Sequence, residues 1–216
     1  MTAGTFAPGD LPTHPPRRGT TRFLLVRHGE TELNREGRWQ GAGSDPPLNE
    51  KGRLQADELA RRLAGRPVAA LYTSPQRRAR ESAVILGTCL GLEPRLVEAL
   101  RELDHGAWEG LTQAEVVARW PDAYRAYEAA PWDTPRPGGE SYAELGRRLW
   151  PALEKLAHRH RGEEIVTVTH GGPVRLVLSR VLGRPLTERH LFGVDNASAF
   201  AVEETGGRWR SAAITR

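Results

Sequence analysis

The sequence predicts an α/β fold, a mainly parallel sheet covered by helices on both faces, and three observations carry that prediction. Short apolar runs alternate with helical patterns along most of the chain. Two of those runs, Phe23-Leu24-Leu25-Val26 and Ile165-Val166-Thr167-Val168-Thr169, lead into a histidine followed at once by glycine, His28-Gly29 and His170-Gly171. In an open α/β sheet the carboxyl ends of the strands form one rim, so segments far apart in sequence deliver side chains to a common crevice.

Taken in order, residues 1–20 hold four prolines and Arg17-Arg18 without an apolar stretch, and read as a disordered N-terminal tail ahead of a single domain over 21–216. A strand over 22–27 leads into a polar loop, Gly29 to Pro47, long enough to suggest function. Asn49 caps a helix with Ala56, Leu59, Ala60 and Leu63 on one face, ending at Gly65. Val68 to Tyr72 is a second buried strand. Ser74-Pro75 reads as an N-cap followed by proline at the first helical position, opening a helix that presents Arg77, Arg78 and Arg80. Thr112 with Glu115, and Ser141 with Glu144, are capping boxes. The second of these helices carries Leu145, Leu149, Ala152, Leu153 and Leu156 at core-facing spacing. Strand 164–169 runs into His170, and Pro173 opens another helix. Ser198 to Glu203 and Arg208 to Ile214, joined at Gly206-Gly207, read as an edge hairpin whose free edge offers a surface for a homodimer.

At 216 residues the chain is long enough for one well-buried core, and 38% hydrophobic with 27% charged residues is a soluble, globular balance. No apolar run approaches the roughly 20 residues that span a bilayer, so no membrane partner is expected and residence is expected to be cytoplasmic. Lys and Arg total 31 against 27 acids, a net charge of +4. The excess is small and dispersed, which argues against a nucleic-acid partner. Only Lys51 and Lys155 are lysines, and an arginine-dominated basic set suits phosphate recognition as well as solvated helix faces. The single cysteine, Cys89, excludes an internal disulfide and a cysteine-rich metal site, and its helical neighbours make it a small core hydrophobe.

Arg27-His28-Gly29-Glu30-Thr31 places a fixed cation beside an imidazole on a tight turn. A neutral imidazole is a competent nucleophile toward phosphorus, and nearby positive charge keeps it neutral. A backbone carbonyl on its other nitrogen would fix the tautomer. Phosphoryl transfer asks chiefly for positioning and neutralisation of the equatorial oxygens, for which Arg27, Arg78 and His170 are candidates, together with helix N-termini near Ser74 and Pro173. A leaving alcohol also needs a proton. Glu102 is the candidate general acid, although it reads equally well as a loop carboxylate paired with Arg101.

These residues resemble the histidine phosphatase superfamily in its phosphoglycerate mutase-like branch. The resemblance rests on Arg27 to Thr31, Asn34, Arg38-Trp39-Gln40-Gly41, Ser74-Pro75 with Arg78-Ala79, Glu102 to Gly110, Gly138 to Ser141, and Thr169 to Gly172, in consistent order over residues 22 to 205. It implies a three-layer α/β/α sandwich and a phosphomonoesterase of small phosphorylated metabolites that works without metal or cofactor. His28 would accept the phosphoryl group. Arg27, Arg78 and His170 would form the phosphate pocket, Glu102 would donate the proton, and Asn34, Gln40, Gly41 and the Gly171 amide would contact phosphate or substrate. The Leu103 to Gly110 segment is similar to small bacterial phosphatases of the α-ribazole and broad-specificity types. Mutases of the branch usually carry asparagine where Gly172 stands. Leu33, Gln76 and His105 depart from the family's usual residues, and His105 lies close enough to Glu102 to bear on the leaving-group pocket.

The alternatives are a phosphoglycerate mutase using the same phosphoenzyme, an inactive regulatory protein of the same fold, and a zinc hydrolase built on His28, His105, His170 and Glu102. The first departs in the Leu103 to Gly110 segment, the second would be expected to have lost a pocket residue, and the third lacks metal-ligand spacing. His158-Arg159-His160-Arg161 ends a helix, where cations suit the dipole. Trp120 and Trp150 read as core. Residues of about 105–140, including a proline-rich loop at Trp132, are expected to form a lid that selects the leaving group.

Overall fold

The computed structural model describes residues 11–212 of the chain. Its strands are β1 (Thr21–Arg27), β2 (Val68–Thr73), β3 (Arg95–Leu96), β4 (Glu164–Thr169), β5 (Ala199–Thr205) and β6 (Arg208–Ser211). The helices are α1 (Glu32–Arg35), α2 (Glu50–Leu63), α3 (Arg77–Leu90), α4 (Gln113–Arg119), α5 (Pro121–Ala129), α6 (Tyr142–Arg159) and α7 (Gly171–Leu182). The sheet order is β3-β2-β4-β1-β5-β6. β1, β2, β3 and β4 pair in parallel, while β5 and β6 run antiparallel.

Successive side chains of a strand point to opposite faces, and here both faces are buried. Phe23 and Leu25 join Tyr72, Ile165, Phe200 and Val202 in one core with Leu145, Leu149 and Leu153 of α6 and Val174, Val177 and Leu178 of α7. Leu24 and Val26 join Leu71, Val166, Val168, Ala199 and Ala201 in the other, with Ala56, Leu59, Ala60 and Leu63 of α2 and Ala79, Ala83 and Leu86 of α3. That is the expected three-layer α/β/α sandwich. Pro151 lies inside α6 without ending it. An interior proline costs roughly 3 kcal/mol, and each fully buried leucine on the same helix contributes about 1.5–3 kcal/mol, so packing decides.

The capping boxes at Thr112 and Ser141 form as predicted, and Asn49 accepts the Gly52 amide at 2.8 Å. Several local expectations are corrected. α3 begins at Arg77 with Gln76 as N-cap, because Ser74 turns its hydroxyl toward His170 instead. α7 begins at Gly171, not Pro173. The terminal hairpin is edge structure only at β6, since β5 lies between β1 and β6; Ile214 lies outside the described residues. Cys89 is exposed on α3, its thiol 3.2 Å from the Ala60 carbonyl, and is not a core residue. Trp120 and Trp150 are half-buried, packed against the core rather than in it. His160 is buried at the end of α6, where it bonds the Tyr72 hydroxyl at 2.8 Å and Glu163 at 2.6 Å. Of the proposed N-terminal tail, residues 1–10 lie outside the described residues. Over 11–20, Leu11 packs on the α2/α3 core and the Pro12 carbonyl accepts from Arg66 at 2.6 Å. No described helix is long and apolar enough to cross a membrane.

The end of the sheet opposite the two histidines is tied by charge. Arg22 is fully buried between Glu203 (2.7 Å) and Glu164 (3.3 Å), its cross-strand partners in β5 and β4; Arg66 and Arg210 complete the cluster. Burial alone would raise the Glu203 pKa, but hydrogen bonds from Arg22 and Arg210 outweigh it and hold the carboxyl below its ordinary 4.5. A carboxylate depressed in this way contributes stability above its unfolded value, which is lost as pH falls through the folded one. Removing one partner from a buried pair leaves uncompensated charge, so Arg22→Met is expected to lower unfolding free energy in urea by about 3–5 kcal/mol. A loss within about 0.5 kcal/mol, the range of neutral surface changes, would refute that role.

Candidate active site

The register of β1 against β4 places Arg27 level with Thr169, so the residues that follow, His28 and His170, leave the sheet side by side. Their ring centroids are 5.1 Å apart. The His28 amide donates to the Thr169 carbonyl at 3.0 Å and continues the ladder one residue beyond the strand. Glycine at 29 lets this turn press on α2, since a Cβ there would overlap the Gly52 carbonyl.

His28 Nδ1 is 2.7 Å from the Gly29 carbonyl. A carbonyl only accepts, so the ring proton sits on Nδ1 and Nε2 keeps its lone pair. Burial, then Arg78 and Arg27, push the His28 pKa well below the ordinary imidazole value of 6.5. His170 Nε2 lies 2.8 Å from Ser74 Oγ, and Ser74 Oγ accepts the Gln76 amide at 3.3 Å. The serine hydrogen is therefore available to Nε2, which leaves the His170 proton on Nδ1, a buried nitrogen with no partner among the described residues. Burial, then Arg78, also hold His170 well below 6.5.

Arg78 is fixed by the carbonyls of Ser44 (2.8 Å) and Gly41 (3.1 Å), and Arg27 by that of Val194 (2.8 Å). Burial pushes both guanidinium pKa values down to about 10, so both stay charged at neutral pH. The Nε atoms of both are buried without partners. His28 thus stands among cations and unmatched donors, a setting that attracts an anion.

Glu102 is buried and does not pair with Arg101, which bonds Glu98 instead. Its Oε1 accepts from the amides of Leu103 (2.9 Å) and Gly172 (3.0 Å), and its own amide donates to Gln76 Oε1 at 2.8 Å. Gln76 also donates to the Gly41 carbonyl at 2.9 Å and so couples the backbone of Glu102 to the Arg78 anchor. A Cβ at position 172 would collide with Glu102 Oε1 and Leu103. Glycine there is what admits the carboxylate.

A cavity of about 420 Å³ opens over this group, lined by Arg27, His28, Asn34, Gln40, Glu102 and Gly171 among the residues expected from sequence. Arg78 and His170 are fully buried beside His28 and not in the lining. Gly41 is also outside the lining; its carbonyl holds Arg78 and Gln76. Gln40 Oε1 accepts from Thr31 at 2.7 Å, which leaves its NH₂ group as donor. Asn34 accepts from Asn196, which also donates to the His28 carbonyl at 3.1 Å.

The far wall comes from α4, α5 and the loop before α6, through Gln113, Tyr124, Tyr127, Glu128 and Arg136, together with Arg175 and Arg189. Sequence reasoning passed over Arg136, Arg175 and the two tyrosines, because nothing in their local pattern marks them. Trp132, which the sequence offered for this wall, instead lines a separate groove with Pro131 and Leu186. His105 lies in the wall, its ring edge-on to Trp39 at 4.9 Å. Burial, then Arg136 and Arg175, keep it neutral. Among the described residues no three His, Cys, Asp or Glu side chains cluster to hold a metal ion.

The family described as histidine phosphatase superfamily (branch 1) matches residues 23–215. Phosphoserine phosphatase 1 of Hydrogenobacter thermophilus is 36% identical over 177 residues, covering 82% of this chain and 83% of that protein. The metal-independent phosphoserine phosphatase of Arabidopsis thaliana is 41% identical over 193 residues, covering 88% and 79%. The solved structure of a mycobacterial glucosyl-3-phosphoglycerate phosphatase superposes with a TM-score of 0.79 at 32% identity, covering 90% of this chain and 98% of that one.

A pKa depressed by burial has a direct readout. The unfolded imidazoles bind protons below about 6.5 while the folded ones do not, so these rings contribute stability above that value and lose it as pH falls toward the folded pKa. The imidazole NMR resonances of His28, His105 and His170 are expected to remain those of neutral rings at pH 6.5. A titration midpoint at or above 6.5 for any of them would contradict this account of its surroundings.

Proposed function

The chain belongs to branch 1 of the histidine phosphatase superfamily and is a phosphatase, and from that premise we propose that it hydrolyses small phosphomonoesters through a phosphohistidine at His28. The observation that carries this reading is the lone pair at His28 Nε2, set by the Gly29 carbonyl among three unmatched buried donors: Arg27 Nε, Arg78 Nε and His170 Nδ1. A phosphoryl group on Nε2 would bring acceptor oxygens to such donors.

Nε2 attacks phosphorus, and the bond from phosphorus to the ester oxygen breaks. Glu102 in its acid form gives its proton to the departing alkoxide. The amides of Leu103 and Gly172 hold this carboxyl in place. Water then attacks the phosphohistidine, Glu102 takes its proton, and the N–P bond breaks to release phosphate and the neutral imidazole. Arg27 and Arg78 supply fixed positive charge for the equatorial oxygens, with the N-terminus of α7 at Gly171 beside them. Asn34 and Gln40 add side-chain contacts. We propose that this charge serves in place of a metal, and that α4, α5 and the 130–140 loop form the lid over the leaving group.

Phosphate release from a panel of esters in EDTA tests the reading. His28→Ala is expected to abolish turnover, and Glu102→Gln to slow alkyl phosphates about 10²–10⁴-fold but p-nitrophenyl phosphate far less, since its leaving group needs little protonation. Equal losses for both would remove Glu102 from the acid role. Conversion of 3-phosphoglycerate to its 2-isomer with little release would identify a mutase.

A further inference from the structure

The cavity holds more positive charge than a phosphate requires. Arg27, Arg38, Arg136, Arg175 and Arg189 line it, with Arg78 buried just behind, against the carboxylates of Glu102 and Glu128. Arg38 is matched by Glu36 and Glu115, and Arg189 by Glu128. Arg27 and Arg78 flank His28 and serve the phosphate dianion. Arg136 and Arg175 remain, and neither forms an ion pair among the described residues.

Arg136 is the more demanding of the two. It is 1% exposed, and among the described residues the one hydrogen bond of its guanidinium runs from Nη1 to the Glu140 carbonyl at 2.9 Å. Its Nε and Nη2 are buried without partners. Those two nitrogens form the side-on edge of a guanidinium, the edge that grips both oxygens of a carboxylate. The rings of Tyr127 and Tyr142 lie 4.4 Å and 5.2 Å from the guanidinium carbon and hold its plane. Ring faces offset part of the desolvation of a buried cation and leave the in-plane donors unmet. Arg175 stands in the wall of the same cavity, from the second turn of α7, and its Nε is also buried and unpartnered. Both cations act on His105, which lines the same cavity and is kept neutral first by burial and then by these two charges.

We infer that Arg136 and Arg175 form a second anion subsite beside the phosphate pocket, so that the preferred substrates are phosphomonoesters whose leaving alcohol carries a carboxylate. Arg136 takes the carboxylate through its Nε and Nη2 edge, and Arg175 adds charge from the wall of the same cavity. The inference rests on the phosphatase reading for the word substrate, but the anion subsite itself is a matter of binding. It makes Arg136 a specificity residue supplied by the 130–140 loop.

The test uses a pair of esters that differ at the carboxylate, 3-phosphoglycerate and glycerol 3-phosphate. Their affinities for the full-length His28→Ala protein are measured by calorimetry, and their kcat/KM values are measured with the active enzyme. The carboxylated ester is expected to bind about tenfold to a hundredfold tighter, the worth of a charged hydrogen-bonded pair. Arg136→Met should remove most of that preference, and Arg136→Lys, which keeps the charge but not the fork, should remove part of it. Equal affinities in the parent protein would overturn the inference whether or not the variants fold. So would a preference that survives in folded Arg136→Met, or a loss shared equally by both esters, which would mark Arg136 as a mere clamp on its loop. If binding shows the preference while the active enzyme releases phosphate from no ester, the phosphatase reading fails and the subsite stands.

Discussion

The pairing of β1 with β4 is the constraint on which the rest depends. Because the strands are parallel neighbours in matched register, Arg27 opposite Thr169, the next residue of each reaches the same height on the rim. A slip of one residue would turn Phe23 and Leu25 to the α2/α3 face and Leu24 and Val26 to the α6/α7 face, undoing two close-packed cores at once. The pairing of two imidazoles is therefore held by hydrophobic burial well below the site. Arg22 of β1, gripping Glu164 of β4 and Glu203 of β5, anchors the opposite end with charge.

With position set this way, burial determines the electrical state of the site. The same desolvation that lowers the imidazoles and keeps them neutral acts on Arg27 and Arg78, which stay cationic because their ordinary pKa is so high. Neutral imidazoles and charged surroundings thus follow from one cause. The cost is a set of buried nitrogens without partners, each of which destabilises the unliganded protein and strengthens binding of whatever anion completes it. The core on both sheet faces supports that cost.

Glycine governs how closely these groups approach. Gly29 allows the His28 turn to rest on α2, and Gly172 allows Glu102 to reach the first turn of α7. Gly41 fits against the backbone of Leu103 and His105, which brings its carbonyl within reach of Arg78. Three segments distant in sequence are held together at contact distance where no side chain fits.

What the sequence by itself determined was everything carried by short-range pattern: the strands ending in His28 and His170, the capping boxes at Thr112 and Ser141, the apolar face of α2, and, through their motifs, the residues proposed here for the phosphate pocket. Each is written in a few consecutive residues, where backbone preference and periodicity act directly. Only the tertiary structure decided that Ser74 would serve His170 and not cap α3, that Cys89 would face outward, that His160 would be buried against Tyr72, and that Arg136 and not Trp132 would face the cavity. Those outcomes depend on which long-range surface each side chain meets once the layers close. Polar and aromatic side chains off the repeating pattern suit either a buried or an exposed place, and the packing of distant elements selects between them.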